Sequence, residues 1–205
     1  FINSIQFQGK ELSYNNILDA NSAFNIVKEF EEPCVAVIKH NNPCGAAVSD
    51  SIKKAYELAN STDPISAFGG VIASNQIWTK EATELLADKY IEVLIAPDYE
   101  EEALQMLKEK QNLRVLKVNF NLQDHIKILK EKDFKTANVD IKSIEGGLLI
   151  QDFDEGIDDI SKVEVVTERT PTKKELDDLM FGWQIVKNVK SNAIIIVKDR
   201  KTVGI

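Results

Sequence analysis

Short runs that stay apolar at successive positions alternate along this chain with stretches of helical periodicity, and this alternation limits the fold more than any other feature. CVAVIK (34–39), VIAS (71–74) and EVLIAP (92–97) are such runs, and LRVLKV (113–118), interrupted by Arg114 and Lys117, reads as a further strand. Neighbouring side chains of a strand point to opposite faces, so a run without polar alternation belongs to a sheet covered on both sides. Residues 16–30, 50–60, 79–89 and 99–110 carry the spacing of amphipathic helices. The pattern predicts an α/β fold with a partly parallel sheet between helical layers. Farther on, GGLLIQDF (146–153) reads as a strand and 154–171 as a connector ending at Pro171. A helix over 172–190, started by Thr172 or Pro171, leads to a strand SNAIIIVKD (191–199) and a DRK turn. Asn15 or Asn16 is the expected cap of the first helix. The acidic run Glu100-Glu101-Glu102 suits the first turn of its helix. Residues 119–142 are polar and aperiodic.

The chain echoes itself at an offset of 159 residues. Ile26-Val27-Lys28 falls on Ile185-Val186-Lys187, Val37-Ile38-Lys39 on Ile196-Val197-Lys198, and Gly45 on Gly204, with no gap. Each copy is a helix, a strand ending in Lys, a turn and a Gly, which predicts a duplicated unit. His40 corresponds to Asp199, so only the first copy carries a Lys-His pair.

A length of 205 residues suffices for a real core in one or two domains. The net charge of −8 argues against a nucleic-acid surface, which needs clustered Lys and Arg. No apolar run approaches a membrane span, and the start carries no secretory signal. The chain opens on Phe1 and stops just after an apolar strand, so it reads as a piece of a longer protein. Cys34 and Cys44 in a chain of cytosolic character are poor evidence for a disulfide, and without a Cys-x-x-Cys pair no standard zinc site is expected.

Chemistry points first to Lys39-His40. Adjacent strand residues cannot share a pocket unless the strand ends, and NNPCG (41–45) is a turn signal. Strand ends are where open α/β sheets place ligand chemistry. There His40 can take a proton and Lys39 can hold a developing oxyanion. The plainer reading is a solvated pair at a strand end, and from spacing alone it is the stronger one. Gly69-Gly70 before a strand allows close backbone approach to a ligand, and Phe68 can stack on a flat ring; a tight turn with a core Phe fits as well. Glu92 can accept from a hydroxyl or an amide, or be an exposed strand-end carboxylate. Asn192 can read an amide, or cap a turn. His125, in polar LQDHIKIL, reads as a solvated residue.

Taken in order, GKELSYNN (9–16), VIKHNNPCGAA (37–47), DPISAFGGVIA (63–73), LIAPDYEEEAL (94–104), GGLLIQDFD (146–154) and WQIVKNVKSNAI (183–194) resemble the transformylase domain of a bifunctional purine-biosynthesis family, AICAR formyltransferase joined to IMP cyclohydrolase. The resemblance spans nearly the whole chain. It implies a cytidine-deaminase-like three-layer α/β/α fold in duplicated subdomains: residues 1–153 the first, 154–171 a connector, 172–205 the start of a truncated second. It implies formyl transfer from 10-formyltetrahydrofolate, as co-substrate, to the 5-amino group of AICAR, with His40 as proton acceptor and Lys39 stabilising the transition state. Asn15, Phe68, Gly69, Glu92 and Asn192 fall on the family's nucleotide and folate contacts. No catalytic metal is implied. The implied partners are the AICAR nucleotide, folate and a second copy of the chain in a homodimer with composite sites, and the implied location is the cytoplasm. Other family segments that hold the nucleotide, and the whole cyclohydrolase domain, fall outside this chain, so the chain alone is expected to be inactive. Small residues after Cys44 are expected to leave room for a flat substrate. Two other readings compete: a zinc deaminase, weakened by the missing Glu two residues after His40, and a non-catalytic dimerisation or nucleotide-binding module.

Overall fold

Strand residues buried on both faces build the core. The structure, a computed structural model, describes residues 4–119, 139–154 and 160–205. The chain divides into two compact units, Phe1–Asn119 with Glu164–Ile205, and Phe120–Val163. In the first unit an eight-stranded sheet runs in the order β1-β6-β5-β4-β2-β3-β10-β9. Its strands are β1 (Ile5–Gln8), β2 (Cys34–Lys39), β3 (Asn42–Val48), β4 (Gly70–Ser74), β5 (Ile91–Ala96), β6 (Arg114–Lys117), β9 (Ile196–Lys198) and β10 (Lys201–Gly204). Strands β4, β5 and β6 are parallel, while β2 is antiparallel to both of its neighbours.

Register assigns the two faces. Val37, Ile72, Leu94 and Val115 stand side by side and join a cluster with Tyr56, Trp78, Leu86 and Leu107. That face carries α2 (Ile52–Asn60), α3 (Lys80–Glu84) and α4 (Glu101–Leu107). Ile38, Val71 and Val93 point the other way. There they meet α1 (Tyr14–Val27), whose Ala20, Ala23, Ile26 and Val27 are buried. The last helix, α5 (Lys173–Val186), packs on β9 and β10. Its Phe181 ring lies 5.5 Å from Phe30, and Lys187 Nζ is 3.0 Å from Glu29 Oε1 in a largely buried ion pair.

The echo read from sequence is present in space. Helices α1 and α5 start and end 159 residues apart (Tyr14 and Lys173, Val27 and Val186), and each opens with a capping box, from Ser13 and from Thr172. Each leads to a hairpin with a two-residue turn, Lys39 opposite Asn42 and Lys198 opposite Lys201. The equivalent strands β3 and β10 pair antiparallel, so a local twofold axis relates the two copies. Thr202, fully buried, ties them together: its hydroxyl accepts from Ala46 N–H at 2.9 Å, and Thr62 Oγ1 donates to its carbonyl at 2.7 Å.

Several sequence readings need correction. Ser13, not Asn15 or Asn16, caps α1; Asn16 is the third helical residue. The helix expected over 79–89 is regular only over Lys80–Glu84, and the strand expected over 191–199 only over Ile196–Lys198. Most of the turn read over 41–45, and the small residues after Cys44 taken as space for substrate, belong to the buried strand β3. Small side chains there admit α2: a Cβ on Gly45 would lie 2.0 Å from the Ala59 carbonyl oxygen. Thr172 does cap α5, and Glu101 and Glu102 do occupy the first turn of α4.

In the second unit, β7 (Val139–Ile144) and β8 (Gly147–Asp152) form an antiparallel hairpin, with Gly146 in its turn at φ 75°. A single 3-10 turn follows at Ile160–Lys162. His125 and most of 119–142 lie outside the described residues.

Gly45→Ala forces backbone of β3 and α2 apart. We expect a stability loss of about 2–3 kcal/mol, read as a lower urea midpoint with unchanged slope.

Candidate active site

The Lys39-His40 pair is built on a reversal of two residues. His40 has φ 55° and Asn41 φ 58°, the left-handed pair of a type I′ hairpin turn. Residues with a Cβ adopt this region at a cost of about 1 kcal/mol each, which Asn and His tolerate best. The neighbourhood holds the turn in place. Asp19 Oδ1 accepts from Asn41 N–H at 2.7 Å, and Ser22 Oγ donates to Asn41 Oδ1 at 3.4 Å. Lys190 Nζ donates to the His40 carbonyl at 2.5 Å, and Asn42 Oδ1 accepts from Lys190 N–H at 3.0 Å. The second copy has the same device: Asp199 and Arg200 take φ 53° and 52°, and Asp178 accepts from both of their N–H groups.

Lys39, the last residue of β2, reaches across to the neighbouring strands. Its Nζ donates to the Gly69 carbonyl at 2.6 Å and stands 3.7 Å from Glu92 Oε1. Glu92 Oε2 accepts from Asn16 Nδ2 at 2.9 Å. Gly69, at φ 65°, donates its N–H to the Tyr90 carbonyl. A Cβ there would be 3.1 Å from both Lys39 Nζ and the Tyr90 ring, so this position is restricted in conformation and in space. Phe68 is no core residue: 68% exposed, it packs against Tyr90 at 5.3 Å between ring centroids. Lys39, Phe68, Gly69 and Glu92 therefore converge, with His40 next in chain. Asn192 follows two residues after Lys190, which secures the His40 carbonyl. Asn15 is exposed on α1 beside the buried Asn16.

An open cavity of about 540 Å³ adjoins the hairpin, lined by Lys39, His40, Cys44, Asp63 and Ser66 among others. Burial, reinforced by the Asp63 carboxylate, pushes the Cys44 thiol up to about 11, so it is no nucleophile near neutrality. The Ser66 hydroxyl and backbone N–H hold the Asp63 carboxyl below its ordinary range. Among the described residues no group of three or more His, Cys, Asp or Glu is arranged to hold a metal, and no helix is long and apolar enough to cross a membrane. An imidazole and an ammonium on consecutive residues, one at a cavity and the other beside a carboxylate, can together accept a proton and stabilise negative charge.

Sequence reasoning missed Asp19, Tyr90 and Lys190, and gave Asn16 only a capping role. One signal for Asp19 was available: Asp178 is the same residue at the same offset.

Fold and site together define a mixed-sheet α/β protein with a Lys-His pair at the end of a hairpin. The chain belongs to the AICARFT/IMPCHase bienzyme family, which it matches over residues 1–205. It is 47% identical over 200 residues to a bifunctional purine biosynthesis protein PurH of Thermoanaerobacter sp. (strain X514), covering 98% of this chain and 37% of that protein. It is 46% identical over 203 residues to the PurH of Caldicellulosiruptor saccharolyticus, covering 99% and 37%. The chain thus spans little more than a third of the length of these relatives.

Two outcomes are expected. Asp19→Ala and Asp178→Ala should each cost about 1–2 kcal/mol in urea unfolding, with only the first shifting the His40 imidazole signal in NMR. Cys44 and Cys34, the latter also raised by burial, should resist iodoacetamide at pH 8 and react rapidly in urea. Because the unfolded thiols ionise first, near 8.5, their ionisation subtracts stability as pH rises from there toward 11.

Proposed function

We propose that the protein carrying this chain transfers a formyl group from 10-formyltetrahydrofolate to the 5-amino group of AICAR, a step of purine nucleotide synthesis in the cytoplasm. The observation that carries the reading is the placement of Lys39 and His40: consecutive residues on a rigid hairpin, the ammonium against Gly69 and Glu92 beside an exposed aromatic pair. Family membership supports the substrates, since the relatives bear the name of purine biosynthesis proteins.

The AICAR amine is a weak nucleophile, its lone pair drawn into the ring and the adjacent carboxamide. As it attacks the formyl carbon, His40 takes its proton and Lys39 stabilises the oxyanion. Collapse breaks the bond to folate N10, which leaves with a proton as tetrahydrofolate. Only side chains act in this scheme. Gly69, Glu92 and Asn192 would contact the nucleotide or the folate, Asn15 would lie near the nucleotide, and Phe68 would stack on a ring.

In this reading the chain carries cytidine-deaminase-like three-layer α/β/α subdomains, the second one truncated. Residues 1–153 form one subdomain, 154–171 a connector and 172–205 the beginning of its duplicate. The working enzyme is a homodimer with composite sites, and an IMP cyclohydrolase domain lies in the part of its relatives that this chain does not span.

The test mixes AICAR and 10-formyltetrahydrofolate with the full-length protein and follows tetrahydrofolate by absorbance. Turnover is expected, with a loss on the order of 10²-fold or more in a folded His40→Ala variant. A parent without turnover overturns the reading; a fully active variant removes His40 from the mechanism.

A further inference from the structure

Asn16 is a buried amide, 5% exposed, that uses both ends of its side chain. Its Oδ1 accepts from Ser13 N–H at 3.1 Å, closing the cap of α1. Its Nδ2 donates to Glu92 Oε2 at 2.9 Å. The other carboxylate oxygen, Oε1, is the one that faces Lys39.

The repeated unit supplies a comparison inside the same molecule. Thr172 caps α5 as Ser13 caps α1, and the residue closing that box is Glu175. Glu is a usual choice there, and it serves with no donor to spare. At position 16 a carboxylate would meet Glu92 with no hydrogen to offer, and like charges in contact repel. Capping alone does not call for an amide at 16; a hydrogen bond to Glu92 does.

We propose that Asn16 is a positioning residue for Glu92, pinning one carboxylate oxygen so that the other stays turned toward Lys39 and toward a hydroxyl or amide of the bound nucleotide. The inference rests on the formyl-transfer reading above. A pinned carboxylate has little rotamer freedom left to lose when substrate arrives, so the effect falls on nucleotide binding more than on the chemical step.

Asn16→Asp keeps the oxygen that closes the cap, removes the donor and sets a carboxylate against Glu92. Asn16→Ala removes both functions, and Ser13→Ala weakens the cap alone. In the full-length protein, Asn16→Asp and Asn16→Ala should each raise KM for AICAR about 10-fold or more with kcat changed less than about 3-fold. Ser13→Ala should lower Tm while leaving KM within about 2-fold. In a Glu92→Ala background, Asn16→Ala should add no further change in KM. An unchanged KM in a folded Asn16→Ala variant overturns the proposal, as does an equal KM shift in Ser13→Ala or an additive effect in the Glu92→Ala background. A parent without formyl transfer overturns the functional reading and this proposal with it, whereas an active parent with an unaffected Asn16→Ala variant overturns this proposal alone.

Discussion

The Lys39-His40 pair hangs on a backbone reversal held by a carboxylate. With His40 and Asn41 both left-handed, β2 turns straight back into β3, and Asp19 supplies the acceptor that the Asn41 N–H would otherwise lack. The helix that carries Asp19 also carries Ser22 and Asn16, so α1 grips the hairpin tip and, one turn earlier, the Glu92 carboxylate. Lys190 adds a hydrogen bond to the His40 carbonyl. An imidazole set on such a turn has little freedom beyond its own side-chain torsions.

Beneath the tip, the sheet supplies stiffness. Strands β2 and β4 are buried on both faces and paired on both edges, so Lys39 and Gly69 approach each other from elements that cannot move separately. Gly69 completes the contact by having no side chain. A Cβ would crowd both the ammonium and the Tyr90 ring, and the ring is what Phe68 leans on. The electrostatic pair and the aromatic pair thus share one glycine.

How far the sequence disclosed this depended on which physics wrote the signal. Strands rich in Val and Ile, and the echo at 159 residues, were legible because burial and repetition leave marks in composition. Strand β3 was not. Asn42-Pro43-Cys44-Gly45-Ala46-Ala47 has the make-up of a turn, yet it lies in mid-sheet, small because α2 presses on it. Pro43 is accommodated where the register slips opposite Val37 and Ile38. The Lys39-His40 pair was visible as a strand end, and Phe68, Gly69 and Glu92 as separate candidates. That Glu92 meets Lys39 through a register of three strands, and that Asn16 reaches Glu92 across 76 positions, are facts of tertiary packing that no local pattern records. For Asn16 the local pattern pointed only to a cap, half of what the residue does.

The two-residue length of the turn has a consequence for how such a site can vary. Because strand side chains alternate faces, one residue added or removed between Ile38 and Pro43 would swing either the ammonium or all of β3 to the opposite side of the sheet. Substitution can change what stands at the tip, as Asp199 and Arg200 show in the second copy, but length cannot drift there. Insertions and deletions among relatives should therefore gather in the long connections and spare both reversals.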